Sequence, residues 1–168
     1  MWNRMVKQNW RYLLFLMASH HPQERLHRTI RIGFKRKYIY LCSRCTGTIL
    51  GMTAIFAANT FGLKFPIEVY LPLISLLPLA VAIDWFTQSA KLRESKNWLR
   101  ISSGFLLGNS EALFLLLVID GFFLKFLVAL GIASIYALSI YLIAAKTKCL
   151  DLYLNEINQI QSNSDLKS

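Results

Sequence analysis

The chain has 168 residues, 55% of them hydrophobic, with a mean hydropathy of +0.41 and a formal net charge of +10. Such an apolar fraction, carried in unbroken runs of about 20 residues, excludes an ordinary soluble domain. The length suits one bundle rather than two domains, and basic residues that flank apolar runs point to an inner-membrane protein rather than a nucleic-acid binder.

The first elements are at residues 1–18. Trp2, Arg4, Lys7, Trp10 and Arg11 precede the short apolar run 12–18. Seven apolar residues cannot cross a hydrocarbon core that needs about 20, so this piece reads as a helix lying in the interface. It also lacks a small-residue cleavage site, so no cleavable signal peptide is expected. Residues 19–45 form a strongly basic segment in which Gly33 and the run 34–41 suggest a turn and a short extended piece.

Four spans follow, at about 46–63, 66–83, 101–119 and 122–145. The first two are joined by Lys64-Phe65-Pro66, the last two by Asp120-Gly121. Pro72 and Pro78 fall inside the second span, where they are tolerable as kinks if neighbours satisfy the freed carbonyls. The segment 84–100 is polar, and residues 146–168 make a polar tail with a short amphipathic stretch. The expected fold is therefore an all-α polytopic membrane protein with four transmembrane helices plus an N-terminal interfacial helix. Lys and Arg concentrate in 19–45, 85–100 and the start of the tail, while the two short connections hold one Lys between them. The positive-inside rule then places the protein in the cell inner (plasma) membrane with both termini and both long polar segments in the cytoplasm.

The stretch Cys42-Ser43-Arg44-Cys45-Thr46-Gly47 sits at the edge of the first span. Two thiols at this spacing can grip one metal ion, commonly Zn²⁺ in a tetrahedral site. On the cytoplasmic side a stable disulfide is not expected. His20 is the first choice for a further ligand, then Asp84 or Glu24; Cys149 lacks a partner at similar spacing. The structural alternative is that Cys42 and Cys45 are small packing residues. A thiol redox pair is another option, since Arg44 would lower the thiol pKa, but this topology denies it the oxidising side.

His20 and Glu24 are four apart and share a face if that piece is helical, which suits metal binding or acid–base chemistry. The bland reading is a solvated turn in which Glu24 pairs with Arg28. In 93–100, Arg93, Asn97 and Arg100 share a helical face at i, i+4 and i+7, and two arginines with an amide donor can bind a phosphate or carboxylate. The bland reading, a juxtamembrane basic anchor, explains Lys91, Lys96 and Arg100, and explains Asn97, Gln88 and Asp84 less well. Gly47 and Gly51 open the first span, and Gly104 and Gly108 open the third; if these two small-residue faces pack together, the thiols and Arg100 meet. Glu111, beside Asn109 and Ser110, lies near the middle of the third span, where an ionisable group is a functional candidate by default.

These residues resemble the DUF2085 family of predicted small membrane proteins of bacteria and archaea. That family shows Cys-His-x-x-Pro-Glu-Arg-Ser, then Cys-x-Arg-Cys-Thr-Gly, then an Asp-Gly start to a segment ending in Arg-Glu-Ser-x-Asn-x-Leu-Arg. Here residues 19–26 fill the first motif with Ser19, Gln23 and Leu26 in place of its Cys, Pro and Ser. Residues 42–47 fill the second in full. Asp84-Trp85 stands for Asp-Gly, and 93–100 fills the third. The resemblance covers about residues 19–145 and implies a membrane protein of uncharacterised activity; a three-cysteine metal site inferred for the family would here have His20 or an acid in place of one thiol.

The expected function is a cytoplasmic-face Cys/His site that binds, or performs metal-dependent chemistry on, an anionic lipid or lipid-linked phosphate. Its metal ligands are His20, Cys42 and Cys45. Arg25, Arg44, Asn97 and Arg100 hold the anion, and Glu24 or Asp84 acts as base. The lipid bilayer is the expected partner, with no nucleic acid. The alternative is a non-enzymatic membrane scaffold or assembly factor with a structural metal or none.

Overall fold

The computed structural model describes residues 28–34, 37–89, 92–94 and 96–146. The expected interfacial helix, His20, Glu24, Arg25 and the tail from residue 147 lie outside the described residues.

Two strands, β1 (Thr29–Phe34) and β2 (Lys37–Cys42), form an antiparallel hairpin. Alternation of β-branched and aromatic residues with polar ones drives this segment to the strand state. The register pairs Thr29 with Cys42, Arg31 with Tyr40 and Ile32 with Ile39. Thr29 and Cys42 are buried against the helices, while Ile32 and Ile39 are exposed on the opposite face. The expected short extended piece is thus half of a two-stranded sheet.

β2 runs without a loop into α1 (Ser43–Thr60). A 3-10 turn (Ile67–Val69), α2 (Tyr70–Leu76) and α3 (Pro78–Ser89) follow, then α4 (Asn97–Ile119) and α5 (Phe123–Lys146). The buried positions of α1, Ser43, Gly47, Gly51 and Ile55, recur every four residues and make one narrow stripe. That stripe lies on α4 in the most extensive helix contact of the molecule. A Cβ added to Gly47 would lie 2.2 Å from the Ile101 carbonyl oxygen, and one on Gly51 would lie 2.1 Å from that of Phe105. The relation is reciprocal: a Cβ on Gly104 would meet the Arg44 oxygen at 2.3 Å, and one on Gly108 the Thr48 oxygen at 2.0 Å. The two backbones therefore touch, a separation that permits Cα–H···O contacts and dense packing without large side chains. Because the contacts advance together along both helices, α1 and α4 run parallel.

The second apolar stretch is divided between α2 and α3. Pro72 falls in the first turn of α2, where a missing N–H has no helical partner to lose. Pro78 breaks the ladder, leaving the Ile74 carbonyl without its i+4 donor. The Ser110 hydroxyl of α4 donates to that oxygen at 3.1 Å, and the Tyr136 hydroxyl of α5 donates to the next carbonyl, Ser75. At the ends of α1 and α4, Gly62 and Gly121 take φ of +82° and +77°. The following amides reach back to Ala58 and Leu117, closing each helix with a left-handed residue that glycine adopts without strain.

Three helices among the described residues are long and apolar enough to cross a membrane by length and composition: Ile67–Gln88, Asn97–Ile119 and Phe123–Lys146. They cover the second, third and fourth expected spans. The structure supports an all-α membrane protein by this measure, and not the full set of four spans plus an interfacial helix. The expected first span is helical, but α1 has 18 residues, with Arg44 in its first turn, four threonines along it and Asn59 near its end, and is not one of the three. Two boundaries also move. The polar segment 84–100 is largely helical, because α3 continues through Asp84 to Ser89 and α4 begins at Asn97. Arg93 therefore precedes α4 and does not share a helical face with Asn97 and Arg100.

The apolar core lies toward the end with the two glycine turns. Ile55, Tyr70, Ile74, Leu113, Leu116 and Leu117 meet there, with Ala129 as the buried position of α5. Phe114 and Phe126 pack with ring centroids 4.9 Å apart.

Gly108→Ala should destabilise the protein by about 1–3 kcal/mol, since backbone cannot yield as a flexible side chain would. Gly131→Ala, where nothing lies within 4 Å, should be neutral or stabilising by up to about 1 kcal/mol through helix propensity. Thermal unfolding of the two variants in one detergent checks this, and equal melting temperatures would remove the close α1–α4 contact from the account.

Candidate functional site

The parallel packing of α1 on α4 puts their first turns side by side, and the antiparallel return of α3 brings its last turns to the same end. Arg44 from α1, Asp84 and Gln88 from α3, and Arg100 from α4 meet there beneath the hairpin. Asp84 is 3% exposed and Arg100 5%. Burying charge is costly unless it is paired and hydrogen-bonded.

Asp84 is the hub. Its Oδ2 accepts from Arg44 Nη2 at 2.5 Å and from Gln88 Nε2 at 2.8 Å. Its Oδ1 accepts from Arg93 Nη2 at 3.1 Å. Arg93 is anchored further by Nε donating to Thr87 Oγ1. Gln88 passes the network on, its Oε1 accepting from Arg100 Nη2 at 2.5 Å while its amide also donates to the Asp84 carbonyl. Asn97 Nδ2 donates to the Thr29 carbonyl at 3.3 Å and ties α4 to the hairpin. A carboxylate holding two guanidiniums and an amide has most of its acceptor sites taken. To act as base or metal ligand, Asp84 would have to release one of these partners.

Arg44 and Arg93 contact this one buried carboxylate, and the guanidiniums of Arg100 and Arg28 lie nearby. Arg28 and Arg44 both repel Arg100, and Asp84 attracts it. Several donors are left over. Arg44 Nε, Arg100 Nε and Ser43 Oγ are buried without a hydrogen-bond partner among the described residues. Ser43 itself is fully buried. Unsatisfied buried donors cost about 1–3 kcal/mol each, so a cluster of them beside an excess of positive charge suits an anion.

The two thiols adjoin this cluster. Cys42 is buried at the strand end and Cys45 is exposed one turn along α1; both are free. The two thiols are close enough for Cys42 to act on Cys45. Although Cys45 reaches the surface, the protein around its sulfur and then the neighbouring Cys42 push its thiol up to about 11, against the opposing pull of Arg44. The expected lowering by Arg44 is thus outweighed, because desolvation of a thiolate acts more strongly here than one nearby cation. Among the described residues no three of His, Cys, Asp and Glu converge as a metal would need.

Of the residues expected at this site, the structure brings together Arg44, Asp84, Arg100, Cys42 and Cys45, with Asn97 at its edge. His20, Glu24 and Arg25 are outside the described residues. Gln88 enters the network without having been named as a site residue, and Arg93, expected to bind an anion beside Asn97 and Arg100, joins it through Asp84 instead. For Gln88 a signal existed, since it follows Asp84 by four residues and so shares its helical face.

The raised thiol gives a pH test. A group with a raised folded-state pKa binds its proton more tightly when folded, so its contribution to stability is present below about 9 and is lost as pH rises through about 11. Alkylation of Cys45 at pH 8, located by peptide mass spectrometry, should run about a hundredfold slower than for an unperturbed thiol and climb steeply toward pH 11. A rate that levels off near pH 9 would contradict this.

The family model described as "Predicted membrane protein (DUF2085)" matches residues 24–114. The matched region takes in the hairpin, α1 to α3, most of α4 and the whole described polar cluster. An uncharacterised protein of Methanothermobacter thermautotrophicus is 37% identical over 101 residues, covering 60% of this chain and 81% of the relative. No solved structure matches. The motifs at 42–47, 84 and 93–100 are the parts of the sequence that fold into one network, and the chain belongs to the DUF2085 family of predicted membrane proteins.

Proposed function

We propose that this protein binds an anionic, lipid-like molecule at the cytoplasmic end of a four-pass bundle in the plasma membrane. The fourth span in this reading is α1, supported by its parallel contact with the spanning helix α4. The orientation is supported by the concentration of Lys and Arg at the site end. The single observation that carries the proposal is the set of buried donors, Ser43 Oγ, Arg44 Nε and Arg100 Nε, beside an arginine cluster balanced by one carboxylate. A phosphate of a headgroup or of a lipid-linked phosphate is the fitting acceptor, since guanidiniums bind it in forked geometry. Arg25 joins them in this reading.

The thiols support a metal as part of the site. Cys42 and Cys45, one helical turn apart and close enough to interact, supply two of the four ligands that Zn²⁺ takes, and His20 is the third in this reading. Glu24 would be the base of any reaction, because Asp84 is engaged on both oxygens. The second reading, a scaffold that binds lipid without chemistry, is favoured by that same engagement of Asp84.

The test is native mass spectrometry of the detergent-purified protein with phosphatidylglycerol and phosphatidylcholine. Retention of the anionic lipid over the zwitterionic one is expected, with binding at least about tenfold weaker in Arg44→Ala and Arg100→Ala, in line with a charge-assisted contact of about 1.5–3 kcal/mol. Equal retention of both lipids, or no change in either folded variant, would refute anion binding. For the metal, elemental analysis should find stoichiometric zinc in the wild type and a loss in Cys42→Ser. A wild type without metal would leave the scaffold reading.

A further inference from the structure

A cavity of about 610 Å³ lies inward of the polar cluster. It is lined by Pro78 and Val81 of α3, Leu107 and Phe114 of α4, and Ile132 and Ala137 of α5, and its walls are apolar apart from three side chains. Two of the three are already used: Ser110 and Tyr136 donate to the carbonyls of Ile74 and Ser75. The third is Glu111, whose carboxyl has no hydrogen bond or ion pair among the described residues. The size is within the range of small-molecule sites, and such sites combine apolar walls with a few polar groups that fix orientation.

Among the described residues, no cation pairs with this carboxyl. Arg100, on the same helix, is eleven residues away, about 16 Å along the axis. The arginine cluster is held at the end of the bundle by Asp84 and Gln88. Lys125 lies over the Phe122 ring beyond the other end of the cavity. An unpaired carboxylate at membrane depth is expensive and marks a functional position. A plain hydrocarbon chain would fill the walls and leave that cost standing, and an anionic amphiphile would add repulsion. The occupant that answers both walls and carboxyl carries a positive charge on an apolar body.

We propose that this cavity binds a lipophilic organic cation, an amine or quaternary ammonium or phosphonium group pairing with Glu111 while the hydrocarbon part packs on α3, α4 and α5. This site is separate from the anion site and does not depend on it. Entry is from the lipid side, since beyond Tyr136 the α5 side chains Leu138, Tyr141 and Leu142 are exposed.

The experiment is equilibrium dialysis of tetraphenylphosphonium against the full chain in a nonionic detergent. Saturable binding at one site per chain is expected, at least tenfold weaker in Glu111→Gln and retained in Glu111→Asp. Ala133→Trp, which fills the cavity from α5 and leaves the carboxyl in place, should also abolish it. Gel filtration and circular dichroism verify that each variant is folded, and if Glu111→Gln does not fold, Ala133→Trp decides. Octadecylamine should displace the probe and octadecanol should not. Absence of saturable binding to the wild type, undiminished binding in either folded variant, or equal displacement by the alcohol would each overturn the proposal.

Discussion

Backbone contact between α1 and α4 is the constraint on which the rest of the structure depends. Hydrophobic side chains gain little by leaving lipid for another helix, so association in a membrane relies on close packing and polar contacts. Gly47, Gly51, Gly104 and Gly108 remove every side chain that would hold the two axes apart. Since the helices are parallel, the contact also sets their register. The first turn of α1 lies level with the first turn of α4, and Arg44 and Arg100 enter the same small volume as a result.

Two like charges forced together need an opposite one, and α3 supplies it. Asp84 is positioned by the return of the chain through α2 and α3, whose break at Pro78 is made affordable by hydroxyls from α4 and α5. The break and the charge cluster are therefore linked. Ser110 and Tyr136 secure the bend that aims α3, and α3 brings Asp84 to the arginines. Gln88 then extends one ion pair into a chain of hydrogen bonds reaching Arg100. A network of this kind is specific in geometry even where its net contribution to stability is small.

Much of this was legible in the sequence, because membrane constraints are simple. Runs of apolar residues announced three helices that are long and apolar enough to cross a membrane, and paired glycine motifs announced the helix contact. The convergence of residues 42–47 with Arg100 followed from that contact. What the sequence concealed was of two kinds. Span ends drawn at 83 and 101, where polar residues begin and end, fall inside the helices, since α3 continues to Ser89 and α4 begins at Asn97. The state of charged groups was also hidden. Nothing in residue order tells that Asp84 is claimed by two arginines, or that the surroundings of Cys45 outweigh the pull of Arg44. Such outcomes depend on three-dimensional neighbours and not on spacing.

The junction at Cys42 and Ser43 has a mechanical consequence. A sheet and a helix are usually joined by several residues of loose chain, which let each move without the other. Here the last residue of the strand is the cap of the helix, so there is no slack to absorb a tilt. The hairpin, with Ile32 and Ile39 facing outward, is thus joined rigidly to Ser43, Arg44 and Cys45, and a tilt of one would have to be shared by the other.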